Sequence, residues 1–117
     1  MGRWISGHWE WKFASAKQSS NFGEVLEYLI DKSGVNSFVT RYLSDYGEIV
    51  KLYIGNRKEF MDMLREYVKD WKRNDAKYNS NEHHKDENEY WTKYMMLEFM
   101  EYVKNVDRPD WEFHVEY

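Results

Sequence analysis

The residues best equipped for chemistry lie at the two ends of the chain. His8, Glu10 and Lys12 alternate with Trp9, Trp11 and Phe13, and Glu112, His114 and Glu116 alternate with Trp111, Phe113, Val115 and Tyr117. Strict alternation of apolar and polar residues is the signature of a strand with one buried and one wet face. If the two strands pair, their imidazoles and carboxylates share one sheet face. His8, Glu10, Glu112 and His114 could then bind a divalent metal or divide acid–base work between them. The same residues also suit an ordinary wet face with opposite charges paired across strands. Alternation alone favours that plainer reading, so no metal or cofactor is expected.

Two further groups carry chemical potential. His83 and His84 precede Asp86 and Glu87, and the spacing of His83 and Glu87 would allow chelation if a helix began early. Adjacent histidines in a polar stretch serve equally well as a surface charge that responds near neutral pH. Farther on, Glu87, Glu98 and Glu101 fall on one helical stripe, flanked by Tyr90, Trp91 and Tyr94. Carboxylates beside large aromatics combine charge steering with the side chains that dominate binding hot spots. These six residues are the candidate partner-binding surface. The competing reading buries Tyr90 and Trp91 and leaves the acids as the helix's solvated side.

Other signatures are missing. The chain has no glycine-rich phosphate loop, nucleophile elbow, paired-histidine zinc helix or calcium loop. It has no cysteine, so disulfides and thiolate metal sites are excluded and a reducing, cytoplasmic setting is expected. No apolar run approaches the roughly 18 residues of a membrane span, nor does the start resemble a signal peptide.

These groups must be positioned by regular elements. The first strand is expected over about Ile5 to Phe13. Asn21 with Glu24 resembles a capping box, and Phe22, Val25, Leu26, Leu29 and Ile30 follow on one helical stripe. Gly34 suits the helix stop. Phe38–Leu43 and Glu48–Ile54 read as a hairpin around residues 44–47, with Val50, Leu52 and Ile54 on one face and Ile49, Lys51 and Tyr53 on the other. Asn56 and Glu59 repeat the capping pattern, and Phe60, Met63, Leu64, Tyr67, Val68 and Trp71 form the stripe of a second helix. Residues 72–86 contain only Tyr78 and one alanine among polar groups, which predicts a mobile loop. A long third helix spans about Glu87 to Val106, with Met95, Met96, Phe99, Met100, Tyr102, Val103 and Val106 in a wide apolar arc. Pro109 precludes its continuation.

The order β-α-β-β-α-α-β resembles the ferredoxin-like plan with one extra helix. The expectation is a single α+β domain over 1–117, with an antiparallel sheet of about four strands and helices on one face. The first and last strands should be neighbours, with Trp11 and Phe113 on the core side.

Charge narrows the function. Residues 1–81 hold 13 Lys/Arg against 11 Asp/Glu, whereas residues 82–117 hold 4 against 10. Nucleic-acid binders concentrate basic charge, so the acidic C-terminal third argues against direct nucleic-acid contact there. An open sheet invites comparison with RNA-recognition domains, which stack bases on exposed aromatics, but Tyr53 is the one aromatic on its strand's outer face. Without a nucleophile–base set, catalysis is less favoured than a non-catalytic protein-binding or regulatory module. Small size, aromatic richness and an acidic end suit an inhibitor of the type carried by phages and mobile elements. Another protein is the expected partner, and a homodimer is compatible. The alternatives are a nucleic-acid-binding ferredoxin-like domain and a metal-dependent enzyme using the His/Glu sheet cluster.

Overall fold

The architecture comes from a computed structural model that describes residues 4–7, 12–14, 21–45, 47–78, 80, 82, 84–106 and 108–116. Two short strands open the chain, β1 (Trp4–Gly7) and β2 (Lys12–Ala14), before helix α1 (Phe22–Ser33). A hairpin of β3 (Ser37–Ser44) and β4 (Gly47–Ile54) leads to α2 (Arg57–Val68) and the single-turn α3 (Asp75–Tyr78). Helix α4 (Glu87–Asn105) and strand β5 (Asp110–Glu116) complete an α+β fold. The sheet is antiparallel throughout, in the order β2-β1-β5-β4-β3. Its body is the three-stranded set β5-β4-β3, flanked by the shorter β1 and β2.

The first and last strands do pair, with Ile5 opposite Val115 and Gly7 opposite Phe113. The expected single strand from Ile5 to Phe13 is instead two strands paired with each other, Ile5 opposite Phe13. Glycine weakens a strand interior, and Gly7 is the last residue of β1. Trp9 and Trp11 lie outside the described residues. Phe113, the expected counterpart of Trp11, is fully buried.

The strand order departs from the ferredoxin-like plan, because the last strand rather than the first takes the interior position beside β4. The extra helix explains this. One helix carries a chain to the opposite end of a sheet, whereas two in succession bring it back to the end it left. Helix α2 starts where α4 finishes, since Arg57 donates to the carbonyls of Val103 and Val106. Ile54 N–H likewise donates to Pro109 O at 2.7 Å. At the other end of α2, Trp71 Nε1 donates to Tyr90 O at 3.1 Å. Strand β5 therefore enters beside the exit of β4 and runs antiparallel to it.

The core lies on the helical side of the sheet. Val50, Leu52 and Ile54 of β4 and Trp111 and Phe113 of β5 meet Phe22, Leu26 and Ile30 of α1. Phe60 and Leu64 of α2 and Met95, Met96, Phe99 and Val103 of α4 close the core. Phe99 is its hub, with ring centroids 5.0 Å from Phe113, 5.6 Å from Phe22 and 6.2 Å from Phe60, all edge-to-face. That geometry sets positive ring edges against negative ring faces. Gly23 lets α1 approach the sheet, because a Cβ there would lie 2.8 Å from Val50 Cγ2. Gly34 ends α1 in the left-handed conformation, φ 67°, donating to Ile30 O.

The two capping patterns have different outcomes. Asn56 accepts from Glu59 N–H at 3.1 Å and caps α2. Asn21 makes no side-chain cap. Its Oδ1 instead accepts from Asn88 Nδ2 at 3.1 Å and from Thr92 Oγ1 at 3.0 Å, tying the start of α1 to α4. Thr92 is fully buried, its hydroxyl also reaches Asn88 O at 2.8 Å and accepts from Asn21 N–H at 3.4 Å, and this junction with α4 takes the place of the local cap.

Candidate functional site

The face of the sheet opposite the helices carries the side chains of alternate residues on β3, β4 and β5. Phe38, Thr40 and Tyr42 lie beside Tyr53, Lys51 and Ile49 in register, and these lie beside Asp110, Glu112 and His114. Phe38 and Tyr53 stack at 6.4 Å with 28° between ring planes. Lys51 Nζ sits 5.6 Å from the Tyr42 ring centroid and 3.8 Å from Glu112 Oε1. Glu112 also meets His114 Nε2, at 3.2 Å. The arrangement is an aromatic half on β3 and β4 bordered by a polar half on β5. Between them lies a shallow depression of about 350 Å³ that includes Phe38, Thr40, Lys51, Tyr53, Asp110 and Glu112 in its lining.

Phe38, Tyr42 and Tyr53 are 66%, 50% and 49% exposed. Phe38 and Tyr53 form one exposed aromatic pair and Tyr42 a further exposed ring on the same face, with Thr40 and Lys51 between them, and such rings are the side chains that recur at binding hot spots. Sequence reasoning found Tyr53 but missed Phe38 and Tyr42. Their signal was the i, i+4 spacing on β3, which the register with β4 converts into a shared face.

The sheet-face cluster is brought together only in part. Glu112 and His114 are adjacent on this face, while His8 and Glu10 lie outside the described residues. Among the described residues, no three His, Asp or Glu side chains converge on a metal-sized site. His83 also lies outside them. His84 packs edge-on against Tyr78 at 5.6 Å.

The six-residue surface on α4 is reorganised. Glu87, Tyr90 and Trp91 are buried, Tyr94 is half-buried, and Glu98 and Glu101 remain exposed. The reason is a second apolar cluster, in which Tyr78, Tyr90 and Trp91 pack with Trp71 and Tyr94. Tyr90 is stacked between Tyr78, at 4.1 Å, and Trp71, at 5.3 Å. Tyr90 also donates to Asp75, Tyr78 donates to Asp86, and Asn74 N–H donates to the Tyr90 hydroxyl. The stretch 72–86 is thus not featureless, since α3 and the buried Tyr78 anchor it to α4.

These contacts shift the titrations. The bond to Asp86 raises the Tyr78 pKa, with burial adding to it, and the same bond lowers that of Asp86. Burial, then Asp75, raises Tyr90. Burial with the nearby charge of Glu89 pushes Tyr67 up to about 12.

A cavity of about 510 Å³ opens beside this cluster, lined in part by Asp70, Arg73, Asp86, Glu89 and Lys93. Several of its charges are already engaged within the fold. Arg73 pairs with Asp75 and lies over Tyr94, and Lys93 pairs with Glu89 and lies over Tyr67. The cavity therefore reads as the margin of a secondary core.

No protein-family pattern matches this chain, and neither characterised proteins nor solved structures yield a match. The geometry must carry the functional argument alone. No helix among the described residues is long and apolar enough to cross a membrane. The uncovered sheet face remains the surface with side chains both accessible and suited to recognition.

Proposed function

We propose that this chain is a non-catalytic protein-binding module that docks its partner on the uncovered face of β3, β4 and β5. The observation that carries this reading is the exposure of Phe38, Tyr42 and Tyr53 on a sheet face that no helix among the described residues covers. Large rings bury much area while few torsions are immobilised, so they supply hot spots. A module with no catalytic set acts by occupying its partner's surface, which is how a small inhibitor or regulator works.

Charge favours protein over nucleic acid. Lys51, the lysine of this face, is engaged by Glu112, and Asp110 and Glu112 border the aromatic half. Asp110 is in turn paired with Arg108 at 3.1 Å, so the described cations at this margin are already engaged and a phosphate backbone gains little there, whereas an apolar protein strip needs no free cation. A photoreactive phenylalanine analogue at position 38 tests the reading in the native host, with Lys58 as a control site on the exposed side of α2. Capture of one protein from position 38 and not from 58, with at least 30-fold weaker binding of that purified protein by Tyr53→Ala, supports the proposal. Capture of nucleic acid, or equal capture from both sites, overturns it.

A further inference from the structure

We infer that β3 pairs with β3 of a second copy of this chain, joining the two sheets edge to edge with both aromatic faces on the same side. The inference rests on the backbone and side chains of one strand and does not depend on the protein-binding reading. Strand β3 is at the edge of the sheet and is eight residues long, with an unbroken register to β4. Exposed edges of this length invite pairing unless a proline, a bulge, a lysine, an unpaired inward-pointing charge or a covering element blocks them. β3 contains no proline, no lysine and no bulge. Its one charge, Arg41, points inward, a placement that can protect an edge, but it is neutralised there by Glu27 and Glu48, at 3.4 and 3.3 Å, and so does not oppose a second strand. No described strand flanks its outer side.

The backbone presents the necessary groups. Ile54 N–H donates to Pro109, away from β3, so the Ser37–Ile54 pair is not hydrogen-bonded across the hairpin. Antiparallel pairs alternate, and Val39, Arg41 and Leu43 therefore turn their N–H and C=O groups toward the open edge.

The strand also complements itself. Antiparallel pairing symmetric about Thr40 sets Phe38 opposite Tyr42 of the second copy, twice, on the aromatic face. It sets Val39 opposite Arg41, and Thr40 opposite its own mate. Pairing symmetric about Arg41 would oppose two guanidinium groups, which disfavours that register. Leu43, 81% exposed, would lie opposite Ser37 of the other copy. The closed twofold dimer is the arrangement that satisfies both copies.

The cysteine-free chain allows a direct test. Sedimentation equilibrium should give twice the mass of one chain. Under mild oxidation Thr40→Cys should form a covalent dimer at least tenfold faster than Tyr53→Cys, a control on the same face but an inner strand. Thr40→Lys should shift the population to monomer while leaving the far-ultraviolet dichroism unchanged. A monomer at all concentrations with freely exchanging β3 amides overturns the inference and leaves the edge to a foreign strand. A dimer whose Thr40→Cys variant links no faster than the control also overturns it, by placing the interface elsewhere.

Discussion

Replacing Phe38 by alanine should leave the fold largely intact, whereas the same change at Phe113 should destabilise it strongly. Phe38 is 66% exposed, so about a third of its surface is covered. Full burial of such a side chain is worth roughly 1.5–3 kcal/mol, and a third of that is roughly 0.5–1 kcal/mol. Loss of the stack on Tyr53 adds at most about 1 kcal/mol. Phe113 is fully buried and lies edge-on to Phe99 and Phe22 at 5.0 and 5.7 Å. Truncation there removes core contacts and leaves a cavity, for about 3–5 kcal/mol. At roughly 4 °C per kcal/mol for a domain of this size, Phe38→Ala should lower Tm by less than about 8 °C. Phe113→Ala should lower it by more than about 12 °C. Urea titrations should give the same order with unchanged slopes. If Phe38→Ala costs as much as Phe113→Ala, the β3–β4 face is covered in the folded protein, and both its availability and the docking proposal fail.

Alkaline titration should destabilise the protein earlier than an average acidic domain. Tyr67, Tyr78 and Tyr90 all have raised pKa values in the folded state. Their stabilisation is complete below the unfolded tyrosine value near 10 and is lost as pH rises above it. Urea midpoints that hold steady from pH 9 to 11 would contradict this. Tyr78→Ala should expose residues 72–86 to limited proteolysis, because it removes the stack on Tyr90 and the bond to Asp86; a digestion pattern identical to the parent's would show that another contact anchors the segment. Gly23→Ala should cost about 1–3 kcal/mol by overpacking against buried Val50, and an unchanged unfolding midpoint would mean that α1 shifts freely on the sheet.

Much of the fold was legible locally. The stripes Phe22-Leu26-Ile30 and Phe60-Leu64-Val68 repeat at helical spacing, and each became the buried face of a helix. In β4 the alternation of Val50, Leu52 and Ile54 with Ile49, Lys51 and Tyr53 correctly separated inside from outside. These patterns are readable because a helix or strand imposes its own period on whichever side is buried.

Tertiary structure decided what local period cannot encode. β3 carries apolar residues on both sides, Phe38 and Tyr42 against Val39 and Leu43, so alternation could not say which side faces solvent; the helices shelter Val39, while Leu43, beyond them near the turn, stays exposed with Phe38 and Tyr42. Likewise Tyr90 and Trp91 are buried because Trp71 and Tyr78, distant in sequence, come to meet them. The position of β5 depends on two helices returning the chain to the end it left. Asn21 has the residue type of a cap, yet buried Thr92 claims its side chain. In each case the deciding partner lies beyond the reach of one helix or strand, and its effect enters only when the chain closes on itself.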